Sequence, residues 1–165
     1  MNKRINIEKI NPNYFVRELS QKYIQDIYEF CVVDKEYYKI VPPLITKEMV
    51  EFEIAKTMFY SKHCDRYYLG FFEFGLLLAI IDFFEFPKQG DTIMINFFMV
   101  YKNMQGDGFG TSIIENLFKC FREYNYRYVE IDVTENNVKA LHFLEKRGFM
   151  EIKRKDEKIH LVKVL

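Results

Sequence analysis

The stretch from Thr92 to Phe121 restricts the fold more than any other part of the chain. Thr92-Ile93-Met94-Ile95-Asn96-Phe97-Phe98-Met99-Val100-Tyr101 is a short apolar run rich in aromatic and branched residues, which predicts a buried strand rather than a helix. Ile113, Ile114, Leu117, Phe118 and Phe121 then recur at helical spacing. Between the two stands Gln105-Gly106-Asp107-Gly108-Phe109-Gly110. A strand that turns through glycines into an amphipathic helix is the unit of an α/β fold, and the rest of the chain continues the same alternation.

Upstream, Tyr23, Ile24, Ile27, Tyr28 and Cys31 form one helical stripe over residues 20 to 33, with Ser20 as its expected N-cap and an end near Asp34. Tyr37, Tyr38 and Pro42-Pro43 read as an irregular link, and Thr46 with Glu48 opens a second helix. From Tyr67 to Phe84 the chain is almost continuously apolar except at Glu73-Phe74-Gly75, which predicts two strands joined by a tight turn, and Pro87, Gly90 and Asp91 break it again. Downstream, Val129, Ile131 and Val133 alternate with Tyr128, Glu130 and Asp132 as a strand. A last helix spans about Asn137 to Arg147 and stops at Gly148, and closing strands at 149–153 and 159–165 turn at Asp156-Glu157. No repeat or low-complexity tract interrupts this order, and the length of 165 residues suits one domain, residues 1–165.

Composition narrows the function classes. Apolar residues make up 49% and charged residues 29%, ordinary for a globular protein. Twenty-four basic residues balance twenty-four acidic ones, so no global field draws the chain to nucleic acid or an anionic membrane, and any anion site must be local. No apolar run is long enough to span a bilayer, and the opening Met1-Asn2-Lys3-Arg4-Ile5-Asn6 leads into no secretory h-region, so a cytoplasmic location is expected. Cys31, Cys64 and Cys120 match neither a disulfide framework nor a zinc spacing and are read as reduced thiols; no metal site is expected. The seventeen Phe and twelve Tyr are read mainly as core fillers.

Glycines at 106, 108 and 110 before a helix leave backbone amides uncovered and aim them, with the helix dipole, at one point. That point attracts an anion, and glycine lets phosphate oxygens approach without a Cβ in the way. The loop is neither of the two commonest nucleotide loops. A dinucleotide fingerprint needs glycine where Thr111 stands, and a Walker loop needs a closing Gly-Lys-Ser/Thr.

Gln105-x-x-Gly108-x-Gly110 after a strand ending at Val100, followed by Asn137-x-x-Ala140 and Glu145-Lys-Arg-Gly148-Phe149, resembles the GNAT acetyltransferase superfamily, closely over residues 92 to 152. The resemblance implies a mixed, mostly antiparallel sheet of about six to seven strands flanked by about four helices, with a splayed strand pair holding the cofactor. It implies a bacterial-type N-acetyltransferase that moves an acetyl group from acetyl-CoA to a primary amine by direct transfer. It also implies that Gln105, Gly106, Asp107, Gly108, Phe109, Gly110 and Thr111 hold the coenzyme pyrophosphate, and that Phe98 and Val100 border the pantetheine arm. Asn137 matches the asparagine beside that arm, though it equally suits a helix cap.

Two positions depart from the family pattern. Many relatives place a glutamate base where Asn96 stands, and an amide is no base at physiological pH. Many place a tyrosine acid where Leu144 stands. Asp82 is a candidate replacement base, because a carboxylate beside buried surface can gain proton affinity, or else a solvated strand-end charge. Glu130 and Asp132 share a strand face and could receive a proton, although a plain solvent face is the simpler reading. His142 lies about 200° around the helix from Leu144 and should point away from it. Tyr37 and Tyr38 are expected to wall the acceptor site. The acceptor itself is a small-molecule or peptide amine of unidentified structure, and the assembly a monomer or homodimer. Because acid and base are both missing, a non-catalytic acetyl-CoA-binding sensor or regulatory module stands as the alternative.

Overall fold

The computed structural model of the protein describes residues 4–60, 64–86 and 90–165. Pro87, part of the expected break, and Met1 to Lys3 lie outside the described residues. Among the described residues seven strands form one sheet: Phe15–Glu18 (β1), Asp65–Glu73 (β2), Leu76–Glu85 (β3), Thr92–Val100 (β4), Tyr128–Thr134 (β5), Met150–Lys155 (β6) and Lys158–Val164 (β7), in the order β1-β2-β3-β4-β5-β7-β6. Neighbours pair antiparallel except β4 and β5, which are parallel. A parallel pair needs a crossover, and the helix Phe109–Glu123 supplies it.

The described residues hold five α-helices: Ile24–Val32 (α1), Lys35–Ile40 (α2), Lys47–Tyr60 (α3), Phe109–Glu123 (α4) and Val138–Lys146 (α5). One core lies under α4 and α5, built from Phe109, Ile113, Ile114, Leu117, Phe118, Phe121 and Leu144 against Leu69, Phe71, Ile81, Phe83, Ile93 and Ile131. The other lies on the opposite face under α1 and α3, with Ile27, Phe30, Val50 and Ile54 against Tyr68, Phe72, Ile80 and Met99. Strands β2 and β3 are therefore largely apolar on both faces, which is why 67–84 reads as an almost continuous apolar run.

Several expectations change. The helix expected over 20–33 begins as a 3-10 turn at Gln21–Tyr23, and Ser20 is its N-cap position without a side-chain cap bond. The link expected at Tyr37-Tyr38 is the short helix α2, capped by Asp34, whose carboxylate accepts from the Tyr37 amide at 3.3 Å. Thr46 does open α3, its hydroxyl accepting from the Met49 amide at 3.3 Å. The edge strand β1 adds a strand the periodicity did not show. At the opposite margin β6 is exposed along its whole length, with a register shift between Glu151 and Lys153.

Candidate functional site

The site grows out of the pairing of β4. Its register with β5 runs only from Thr92↔Tyr128 to Ile95↔Ile131, whereas β5 stays paired to β7 as far as Thr134 and β4 to β3 as far as Val100. The two parallel strands part at Asn96. On the β3 side the register shifts at the same point, with Asp82 opposite Phe97 and Phe83 opposite Ile95, so Asn96 is a bulge residue. A bulge bends its strand and increases twist, which carries the second half of β4 away from β5. The Tyr101 amide donates to Leu78 O on β3 at 2.8 Å, and alternation then turns the backbone groups of Phe98 and Val100 toward the open edge.

The glycine loop follows. Gly106 and Gly108 hold φ of +97° and +80°, and Gly108 is the N-cap of α4. Ser112 donates to Gly108 O at 3.0 Å as the first closed turn of the helix, so the amides just before it point outward. A Cβ at Gly106 or Gly108 would meet nothing within 4 Å, so the loop opens onto free space. Gly110 is glycine for another reason: a Cβ there would lie 3.2 Å from Val100 Cγ2 and 3.9 Å from the Phe143 ring, so its absence lets α4 start against β4. The arrangement can take an anion at the helix start and a hydrogen-bonding chain along β4.

Each expected site residue has a definite place. Phe98 is half-buried, its ring 6.2 Å from that of Phe143. Val100 is buried and its carbonyl accepts from Gln105 Nε2 at 2.9 Å. Phe109 turns its ring into the core, 5.0 Å from Tyr14, so only its backbone faces the loop. Asp107 is exposed and Thr111 half-buried in the first turn of α4. Asn137 caps α5, its Oδ1 accepting from the Ala140 amide at 3.2 Å.

The Gln105 carboxamide is the hub of a network the periodicity could not reveal. Its Nε2 also donates to Asp34 Oδ2 at 2.9 Å, and its Oε1 accepts from Lys139 Nζ. Lys102 Nζ donates to Asp34 Oδ1 at 2.9 Å. Asp34 is 5% exposed; burial pushes its carboxyl up, but hydrogen bonds from Lys102, Gln105 and the Tyr37 amide outweigh that and hold it below its usual value. A lone acid closing an otherwise apolar helical stripe was the only local signal. Tyr37 and Tyr38 sit beside it, rings 5.0 Å apart and edge-on, and Tyr37 lies 6.2 Å from Phe97 of β4. Burial, with the nearby Cys31 and Asp34, pushes the Tyr37 hydroxyl up to about 12.

Asp82 is not the solvated strand-end charge. It lies inside β3, 1% exposed, and both oxygens are engaged by Arg66: Nε to Oδ1 at 2.7 Å and Nη2 to Oδ2 at 2.8 Å. Asn96 Nδ2 donates to the same Oδ2 at 2.8 Å. Asp82 and Asn96 are thus brought together, but taking a proton at Asp82 would break a buried bidentate ion pair. Asp132 and Glu130 are not a plain solvent face either. His160 Nδ1 lies 2.8 Å from Asp132 Oδ1 and its Nε2 3.6 Å from Glu130, beside a concavity of about 550 Å³ that Lys153 and Lys158 also line. Leu144 is 4% exposed and built into the core, while His142 is exposed on the other side of α5, as expected.

The sequence profile of the acetyltransferase (GNAT) family matches residues 22–149. The chain belongs to the GNAT acetyltransferase family. Solved structures with the same fold include an acetyltransferase from Thermus thermophilus, 18% identical with a TM-score of 0.78, covering 92% of this chain and 97% of that one. The PaiA N-acetyltransferase of Thermoplasma acidophilum, solved in complex with coenzyme A, is 15% identical with a TM-score of 0.70, over 92% of this chain and 99% of that one. The GNAT domain of S. lividans PAT is 18% identical with a TM-score of 0.68, over 92% and 90% of the two chains. No curated protein matches at a significant level. Family membership makes acyl transfer the chemistry of the fold. Among the described residues no helix is long and apolar enough to cross a membrane, and no cluster of three or more His, Cys, Asp or Glu is arranged to hold a metal.

Proposed function

We propose that residues 1–165 act as one N-acetyltransferase domain that moves the acetyl group of acetyl-CoA to a primary amine by direct transfer in a ternary complex. The observation that carries this reading is the parting of β4 from β5 at Asn96, next to the outward-facing amides that open α4. The coenzyme pyrophosphate fits the amides of the loop from Gln105 to Thr111, and the pantetheine amides fit the open edge at Phe98 and Val100. Running back along β4, the arm brings the thioester toward Asn96. The coenzyme A complex of the PaiA neighbour supports a coenzyme A thioester as donor.

The amine attacks the thioester carbon, a C–N bond forms, the C–S bond breaks, and the amine proton leaves through water or onto the departing thiolate. Asn96 gives one Nδ2 hydrogen to Asp82, which orients its carboxamide, and its Oδ1 accepts an N–H from the acceptor. Leu144 offers no proton, but a thiolate is stable enough to leave without one. Positioning and backbone donors therefore carry the acceleration. Tyr37 and Tyr38 form the wall the acceptor meets. Two measurements test the reading: calorimetry with acetyl-CoA, and CoA thiol release across a panel of primary amines. Absence of binding at millimolar acetyl-CoA refutes it. Binding without turnover on any amine refutes catalysis and leaves a coenzyme-binding module.

A further inference from the structure

We propose that Asp34 is a positioning residue that couples the glycine loop to the α1–α2 wall, so that filling the loop with acetyl-CoA firms the acceptor side of the site. The inference rests on the acetyl-CoA reading above. One carboxylate, buried between α1 and α2, receives Lys102 Nζ and Gln105 Nε2 at 2.9 Å each and the Tyr37 amide at 3.3 Å. Two of these donors belong to the segment between β4 and α4, and the third belongs to the helix that carries Tyr37 and Tyr38. Gln105 meanwhile holds the Val100 carbonyl, the last residue of β4, and accepts from Lys139 on α5. Three elements around the coenzyme loop thus meet the wall at a single side chain.

The chemistry of the network fixes the orientation of its parts. Asp34 accepts only, so Gln105 must turn its amide nitrogen toward it, which leaves Oε1 for the Lys139 ammonium. A glutamate at 105 would set two carboxylates against each other, whereas a guanidinium there would pair with Asp34. Replacing Asp34 by Asn keeps the shape but leaves one acceptor oxygen for three donors, so at least one of Lys102, Gln105 and the Tyr37 amide loses its partner. A Lys102 ammonium freed in this way can approach the coenzyme phosphates, but as a half-exposed charge it is screened by solvent and salt. The net effect is a loop that must be ordered on binding, and a weaker complex.

The test uses acetyl-CoA calorimetry on the parent, Asp34→Asn, Gln105→Ala and the double variant, with hydrogen exchange over residues 35–41. Asp34→Asn is expected to weaken acetyl-CoA about tenfold, the scale of one hydrogen bond to a charged group. In the Gln105→Ala background the same change should alter affinity less than about twofold, because the link through Gln105 is already cut and the remaining Lys102 pair, at a half-exposed ammonium, is screened by solvent. Acetyl-CoA should slow exchange at 35–41 in the parent and leave it unchanged in either single variant. A role confined to stability would instead lower the melting temperature of both backgrounds alike and leave the exchange response intact. Parent-like affinity in Asp34→Asn, fully independent effects in the cycle, or an exchange response that survives in Gln105→Ala overturns the coupling while the acetyl-CoA reading stands. A parent that binds no acetyl-CoA overturns both.

Discussion

Replacing Asp82 by Ala separates a structural carboxylate from a catalytic one. The variant strips Arg66, whose side chain is 2% exposed, of its 2.7 and 2.8 Å bonds and takes the nearest carboxylate away from a buried guanidinium between Tyr68 and Phe84. The guanidinium also donates to the Glu53 carbonyl at 2.6 Å and, at the longer distance of 3.4 Å, to Thr57 Oγ1 and the Glu53 carboxylate. Breaking a buried pair by removing one partner costs about 3–5 kcal/mol. Against a total stability of about 5–15 kcal/mol that is a large fraction, equivalent to a fall in Tm of about 6–20 °C for a domain of this size. Removing both charges in Arg66→Met/Asp82→Leu should return most of it, since an apolar pair of similar volume avoids the desolvation of both ions. Urea denaturation of the parent, both single variants and the double gives the coupling directly. An Asp82→Ala loss below about 1 kcal/mol, or a double variant no more stable than that single, would refute the argument.

Three further outcomes follow from the geometry. Gly108→Val forces a branched residue into φ of +80° and places methyls in the open mouth of the loop; it should lower stability by about 1–2 kcal/mol and abolish acetyl-CoA binding, and parent-like affinity in calorimetry would mean the loop does not hold the phosphates. Burial, partly offset by the Tyr38 hydroxyl, pushes the Cys31 thiol up to about 11, and burial with the Glu123 and Glu85 charges does the same for Cys120. Both protonated thiols favour the native state below the ordinary thiol value near 8.5, and that contribution fades as pH rises toward about 11. Ellman's reagent at pH 8 should thus label them at the rate of unfolding, and prompt labelling of the native protein would contradict their burial. Leu144→Tyr inserts a phenol where the side chain is 4% exposed; overpacking should cost about 1–3 kcal/mol without raising kcat, and a gain of about 10²-fold would show instead that the position opens to the thioester.

The parts of the fold that punctuation marks were legible in the sequence, and the parts that depend on distant partners were not. Glu73-Phe74-Gly75 separated β2 from β3, and the run 92–100 into the glycine loop gave β4 and α4, because strand length, turn chemistry and helical spacing all agree there. The four residues of β1 are too few to show a period. The wall helix α2 was hidden by its two tyrosines and the following prolines, and its cap, Asp34, is tied to residues 68 and 71 positions away. The buried ion pair of Asp82 was hidden for the same reason. Alternation places a side chain on a face but does not say that Arg66, sixteen residues earlier, waits on the neighbouring strand.

The far margin of the sheet carries features that oppose edge-to-edge pairing of one molecule with another. A bare strand edge is a template onto which another sheet can extend, and β6 is the longer of the two edges here. It carries Lys153, Arg154 and Lys155 in succession, and the register shift leaves Ile152 unmatched, which twists the edge out of line with any straight partner. Deleting Ile152 is expected to regularise the ladder and leave the three cations alone to keep another edge from stacking on it.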